Sequence, residues 1–184
     1  MRDLTEQLLQ VLRADAWSMD MLSAVRSLSL PDWAIGAGFV RSLVWDRITR
    51  RAERTVLGDV DVLYFDPGNT NKTAEHDIVR NLARLHPSVP WSAKNQARMH
   101  LKNGDAPYRD TLDALSRWLE TPTAVAVRLE KNDDLTVLAP FGLEDLFAMV
   151  IRPTPAGNEK PGEYRERLRR KRWAESWPEA TIIV

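Results

Sequence analysis

The stretch GDVDVLYFDP, residues 58–67, decides how the chain is read. Val60, Val62, Leu63, Tyr64 and Phe65 are β-branched, aliphatic or aromatic, and Asp66, Pro67, Gly68 and Asn69 stop the run, so the segment predicts a strand ended by a turn. Asp59 and Asp61 stand two residues apart in it. Side chains of a strand alternate between faces, so both carboxylates project from one face. Two adjacent like charges repel unless a cation bridges them. A hard divalent ion takes oxygen ligands, keeps waters, and is often held by one or two carboxylates plus substrate phosphates. Asp-x-Asp on a strand therefore suits metal–nucleotide chemistry, although the same pair also occurs as a solvated strand edge.

Upstream lies a second informative unit. Trp33-Ala-Ile-Gly-Ala-Gly38 is short, apolar and ends in glycines, and Phe39, Leu43 and Val44 then fall at helical spacing. This predicts a strand, a tight turn and a helix. Gly36 and Gly38 in such a turn let backbone N–H groups approach a phosphate at the positive end of the helix, and Arg41, one turn in, adds a charge-assisted contact. Simple closure of a tight turn is the alternative use of the glycines.

Working outward, two packing helices are expected before Pro31, from Leu4, Leu8, Leu9 and Leu12 and from Met19, Leu22, Val25 and Leu28. A helix is expected over residues 73–85, a short strand near Trp91, a helix over 108–119, and a hairpin from TAVAVRLE to LTVLA (123–139). Residues 95–102 are ambiguous. A short helix is expected over 143–151 and a basic helical tail over 163–177, behind the linker-like RPTPAGNEKPG (152–162). Helices flanking a mixed sheet give an α/β (α+β) fold rather than a bundle or sandwich. At 184 residues one domain is expected: N-terminal helices (1–30), a core (31–152), and a linker with helical tail (153–184).

Twenty-six Lys and Arg balance twenty-six Asp and Glu, so any polyanion must meet a local patch rather than a global field. The absence of cysteine removes disulfides, thiol nucleophiles and Cys-based metal sites and is compatible with a cytoplasmic setting. No apolar run is long enough to cross a bilayer, so no membrane partner is expected.

Asn95, Gln96, Arg98 and His100, with Lys94, form the densest polar cluster after the aspartates. Amide side chains can read a base or ribose and Arg can bind phosphate, while Asn95 is equally suited to cap a helix. The tail carries Arg165, Arg167, Arg169, Arg170, Lys171 and Arg172, a patch for RNA or triphosphate. Interleaved Tyr164, Leu168, Trp173 and Trp177 favour a packed helix with arginines reaching to water.

With WAIGAGFVRSLVWD, GDVDVLYFD, WSAKNQARMH, TAVAVRL, APFGLEDLF and RRKRW, spread over residues 33–173, the chain resembles a bacterial nucleotidyltransferase-like family within the superfamily that includes DNA polymerase β. The resemblance implies a mixed-sheet core in which Asp59 and Asp61 hold Mg2+ (or Mn2+), with Gly36, Gly38 and Arg41 facing the triphosphate of an NTP. Asn95, Gln96 and Arg98 are the candidate nucleotide contacts beyond them. It implies in-line attack of an acceptor hydroxyl on the α-phosphorus with loss of pyrophosphate; the acceptor, a small molecule, an RNA or a protein, is not specified.

The chain departs from that pattern in three places. Ala37-Gly38 replaces Gly-Gly or Gly-Ser, and the basic run over residues 47–54 reads as an insertion loop before Asp59. The strand near Trp91, where active members carry a third carboxylate, offers Ser92 and Asn95 instead. Glu130, at the hairpin, is a replacement acid only if it escapes solvent. The third departure keeps a second reading open: a catalytically inactive nucleotide-binding or protein-interaction module. A dinucleotide fingerprint fails because Arg41 takes the place of its third glycine, and there is no Gly-Lys-Ser or Gly-Lys-Thr for a P-loop.

Overall fold

Asp3 and Asp15 start the two N-terminal helices by accepting hydrogen bonds from the Thr5 and Ser18 amides at 2.9 and 3.0 Å, the usual device for satisfying a helix's free N–H groups. The computed structural model describes residues 3–184. Helix α1 (Leu4–Arg13) buries Leu8 and Leu12, and α2 (Ala16–Ser27) buries Met21, Leu22 and Val25, as the leucine spacing predicts. Strand β1 (Ala34–Gly36) then runs into α3 (Gly38–Ile48), and β2 (Val60–Tyr64) follows. Helix α4 (Lys72–Leu85) carries the chain across to β3 (Trp91–Asn95), which gives way without a loop to α5 (Gln96–Asn103). Helix α6 (Thr111–Leu115) precedes the hairpin of β4 (Ala126–Leu129) and β5 (Leu135–Leu138).

The sheet order is β3-β2-β1-β4-β5, with β2 and β3 parallel and every other pair antiparallel. Only the parallel pair needs a crossover, and α4 supplies it. Strand alternation sorts the two faces. Val60, Val62 and Tyr64 of β2, with Trp91 and Ala93 of β3, join Ile35, Phe39, Trp45 and the N-terminal helices in the main core. On the other face Ala34, Leu63, Leu115, Ala126 and Leu138 form a small second cluster with Trp118. That cluster covers the β4–β5 end, so the β2–β3 end of this face depends on other elements for cover.

The C-terminal third differs from expectation in ways the contacts explain. Residues 144–151 split into α7 (Glu144–Phe147) and β6 (Val150–Ile151), because Met149, at φ 55°, turns the chain out of its helix. The stretch read as a linker holds α8 (Pro155–Glu159). Its anchor is Thr154, fully buried, whose hydroxyl donates to the Trp118 carbonyl and accepts from the Gly157 amide. A Cβ on Gly157 would run into the Leu119 carbonyl oxygen, so glycine here permits close approach rather than flexibility. Helix α9 (Pro161–Lys171) and α10 (Trp173–Ser176) form the basic tail, and β7 (Thr181–Ile182) pairs parallel with β6. Tyr164, Trp173 and Trp177 are buried, so the tail is docked as the interleaved aromatics suggest. The basic run at 47–54 is not a free insertion either. Its first residues complete α3, Arg51 stacks on Trp177 with 3.9 Å to the ring centroid, and Arg54 pairs with Asp15 over Trp17. The helix expected over 108–119 shrinks to α6, since Thr111 is tied to Asp32 at its start and Trp118 is drawn into the second cluster.

Candidate functional site

The uncovered end of the sheet face is a cleft of about 520 Å³. Its floor is built by strand alternation: Asp59 immediately before β2, Asp61 and Leu63 along it, and Ser92 and Lys94 along β3, with Gln96 opening α5. In the parallel register Asp61 lies beside Ser92 and Leu63 beside Lys94. The antiparallel neighbour of Asp61 is Gly36, so no side chain stands between the aspartate and β1. The far wall is α9, which contributes Glu163, Arg167, Arg170 and Lys171.

Charge is concentrated here in a chain that has none overall. Lys94, Lys102, Arg117, Lys160, Arg167, Arg170 and Lys171 line the cleft against Asp59, Asp61 and Glu163, seven cations to three carboxylates. Burial pushes the Asp61 carboxyl above its ordinary range, and the neighbouring Asp59 charge pushes it further; a hydrogen bond from Ser92 and the charges of Lys171 and Arg167 only partly offset this. The Asp61 carboxylate is thus under-compensated by the protein's own groups, the situation a bound cation relieves. The ligand set is all oxygen, which suits Mg2+ or Mn2+ rather than zinc. Among the described residues no cluster of three His, Cys, Asp or Glu side chains forms a metal cage, so water and phosphate oxygens would complete the coordination. Two carboxylates and an open cleft fit an ion of that kind.

The remaining sequence candidates divide. Gln96 lines the cleft, with its side-chain amide donating to the Lys94 carbonyl at 3.1 Å. Gly36 and Gly38 bracket Ala37, the cleft residue that precedes α3. A Cβ at Gly36 would meet the Ala126 Cβ at 3.1 Å and the Val125 oxygen at 3.2 Å, so this glycine lets β4 close on β1. Ala37 itself takes φ 56° and ψ −125°, a conformation that disfavours any residue with a Cβ, and its amide donates to the Val125 carbonyl at 3.1 Å.

Three expectations are corrected. Arg41 does not line the cleft; its guanidinium lies between Trp45 and Trp173, 5.4 and 5.1 Å from their ring centroids. Burial lowers its pKa to about 10, which leaves it charged at neutral pH. Asn95 is fully buried and structural: its Oδ1 accepts from the Asp66 and Ala97 amides, and its Nδ2 donates to the Asp66 and Asn69 carbonyls. It caps α5 and ties the turn after β2, with no donor or acceptor left for a ligand. Arg98 is turned away from the cleft and held by the buried Glu75 through Nε at 2.8 Å and a second contact. Glu130 also stands apart, bonded to Arg128 and Thr136 on the hairpin.

Glu120 is a site-related residue that sequence reasoning missed, as are Lys102, Arg117 and Lys160 of the cleft lining. Glu120 is fully buried between α6 and β4 and makes an ion pair with Arg167 at 2.6 Å. Nothing in Glu120-Thr-Pro-Thr-Ala signals this, because its partner is 47 residues away and on another element.

No curated protein matches the chain in sequence at a significant level. Among solved structures, an NMR structure described as revealing a CCA-adding enzyme head domain is 31% identical with a TM-score of 0.86, over 97% of this chain and 95% of that one. A CCA-adding enzyme in complex with CTP (17% identical, TM-score 0.61) and the Thermotoga maritima CCA-adding enzyme complexed with tRNA (17%, 0.58) share the fold. All of this chain aligns with them, spanning 44% and 43% of their respective lengths. Residues 23–182, which include both cleft aspartates and the α9 wall, match the family described as Nucleotidyltransferase, and the chain belongs to that family.

Proposed function

We propose that the cleft binds a divalent metal–NTP complex and that the protein transfers the nucleoside monophosphate to an acceptor hydroxyl. The observation that carries this reading is the Asp59–Asp61 pair, with the Asp61 carboxyl buried and held above its ordinary range, on the floor of a cleft whose walls are cationic. Kinship with a CCA-adding enzyme head domain at 31% identity supports an NTP donor.

Asp59 and Asp61 would hold Mg2+ or Mn2+, which when bound neutralises developing charge on the transferring phosphoryl group. The protein's own groups do the positioning. The Gly36-Ala37-Gly38 turn aims the start of α3 at the cleft, and Ser92, beside Asp61 in the β2–β3 register, favours its ionised carboxylate. The cationic wall holds the triphosphate. A P–O bond forms between the acceptor oxygen and the α-phosphorus, the bond from the α-phosphorus to the bridging oxygen breaks, and pyrophosphate leaves. The hydroxyl proton passes to a carboxylate of the pair or to water. Cations in excess of the cleft's own acids favour an acceptor that is itself phosphorylated, such as an RNA end, over a neutral one. An NTP donor is compatible with a cytoplasmic setting; among the described residues no helix is long and apolar enough to cross a membrane.

A second reading, binding without turnover, is favoured by one observation: β3 presents Ser92, not an acid, beside Asp61. Thermal stability with each NTP, with and without Mg2+, followed by incubation with α-labelled nucleotide and RNA, separates the two. A metal-dependent shift that disappears in Asp59→Ala, together with label transfer, supports the enzyme. A shift without transfer supports the binding module. No shift with any NTP would sink both.

A further inference from the structure

We infer that Arg167 binds the polyphosphate of the nucleotide and that Glu120 is the positioning residue that aims it, an inference that rests on the nucleotide site proposed above. Glu120 is completely buried. Its Oε2 accepts from the Thr123 hydroxyl at 2.8 Å, and its Oε1 lies 2.6 Å from Nε of Arg167. Taking a carboxylate out of water costs more than a single ion pair returns, and an apolar pair of similar volume would serve stability as well. The arrangement makes sense if the arginine's orientation is what matters.

Arginine offers five donors in a rigid fork. Nε of Arg167 sits against the Glu120 carboxylate as an ion pair without an aligned N–H···O bond, so charge rather than a directed hydrogen bond anchors the guanidinium, and 27% of the side chain stays exposed on the cleft wall. Trp173 flanks the guanidinium at 6.0 Å, limiting its swing. The result is a fixed pair of N–H donors suited to two oxygens of a phosphate, which a flexible lysine does not provide. The ligand is placed by the cleft: Arg167 and Lys171 on its α9 wall line the same cavity as Asp59 and Asp61 on its floor. A triphosphate whose α-phosphate sits at the aspartates has its distal phosphates within reach of α9.

The test is calorimetric binding of Mg2+–tripolyphosphate and Mg2+–NTP to the full chain. Arg167→Lys, which keeps a charge beside Glu120, and Glu120→Gln, which keeps the shape and the Thr123 partner, are each expected to weaken both ligands by about tenfold, the worth of a charge-assisted bidentate contact. The double variant should be hardly worse than either, since one aims the other. If both single variants fold and bind as wild type does, the inference is overturned while the nucleotide site stands. If the wild type binds neither ligand, the nucleotide site itself fails and the inference with it. Should Glu120→Gln not fold, Arg167→Lys decides: unchanged tripolyphosphate affinity refutes the assignment.

Discussion

Ser92 lies directly beside Asp61 across the parallel β2–β3 pair. Its hydroxyl favours the charged form of the carboxylate but does not outweigh burial and Asp59, so the carboxyl remains above its ordinary value of 3.8. The folded chain therefore holds that proton more tightly than the unfolded chain. Stability is lost as pH rises through the folded value, and the ionised group is a net liability at neutral pH. Asp61→Asn keeps the shape and removes the charge. Its melting temperature without metal should exceed that of the wild type, while the Mg2+–NTP shift vanishes, the trade expected of a functional group held at a cost to stability. A lower midpoint would contradict this account.

Ala37 offers a second such trade. At φ 56° and ψ −125° it is strained by about 1–3 kcal/mol, while glycine's extra freedom in the unfolded chain costs about 0.5–1 kcal/mol. Ala37→Gly should accordingly stabilise the protein by about 1 kcal/mol in denaturant unfolding, and Ala37→Val should destabilise it. Two variants of equal stability would show that the turn carries no strain.

Asn95 looked like a ligand because its neighbours are polar, yet all its hydrogen-bonding capacity is spent inside the fold. Asn95→Ala removes a helix cap and leaves the Asp66 amide and carbonyl unpaired, a loss of about 3 kcal/mol. The variant that remains folded should bind Mg2+–NTP as tightly as wild type. A selective loss of affinity at unchanged stability would return Asn95 to the ligand set.

These cases show where sequence reasoning reaches and where it stops. Residues 34–64 were legible because local rules suffice: glycine marks the turn, alternation puts Asp59 and Asp61 on one face, and β-branched residues make the strand. Asn95, Arg98 and Arg41 were misjudged because their roles depend on Asp66, Glu75 and Trp173, partners on other elements that no local pattern announces. The Pro- and Gly-rich stretch at 153–162 reads as a linker by composition, whereas Thr154 and Gly157 are there to press against the Trp118–Leu119 backbone. Long-range ion pairs such as Glu120–Arg167 lie beyond spacing arguments altogether.

Glu130 carries a pH signature away from the cleft. Donation from the Thr136 hydroxyl and from Arg128 holds its carboxyl below the ordinary 4.5. The sign is opposite to that of Asp61: the contribution is present above the ordinary value and lost as pH falls through the lowered one. Acid unfolding of the wild type should include this loss, and Glu130→Gln should show a shallower fall in stability below about pH 4.5. Superimposable acid limbs would mean the hairpin bonds contribute nothing.

Arg41 distinguishes a phosphate ligand from a structural pillar. Its guanidinium is stacked between Trp45, in the core, and Trp173, at the head of α10, and through Trp173 it supports the docked tail that forms the cleft's cationic wall. Each such cation–π contact contributes about 0.5–2 kcal/mol when desolvated. Arg41→Met retains much of the volume and loses the charge, so unfolding free energy should drop by about 1–2 kcal/mol. Because the side chain does not line the cleft, Mg2+–NTP affinity should change far less than in Asp59→Ala. Limited proteolysis gives an independent readout, with cleavage in the C-terminal tail expected to accelerate in the variant. If Arg41→Met instead abolishes nucleotide binding while the tail stays protected and stability is unchanged, Arg41 reaches the phosphate directly and the pillar role is wrong.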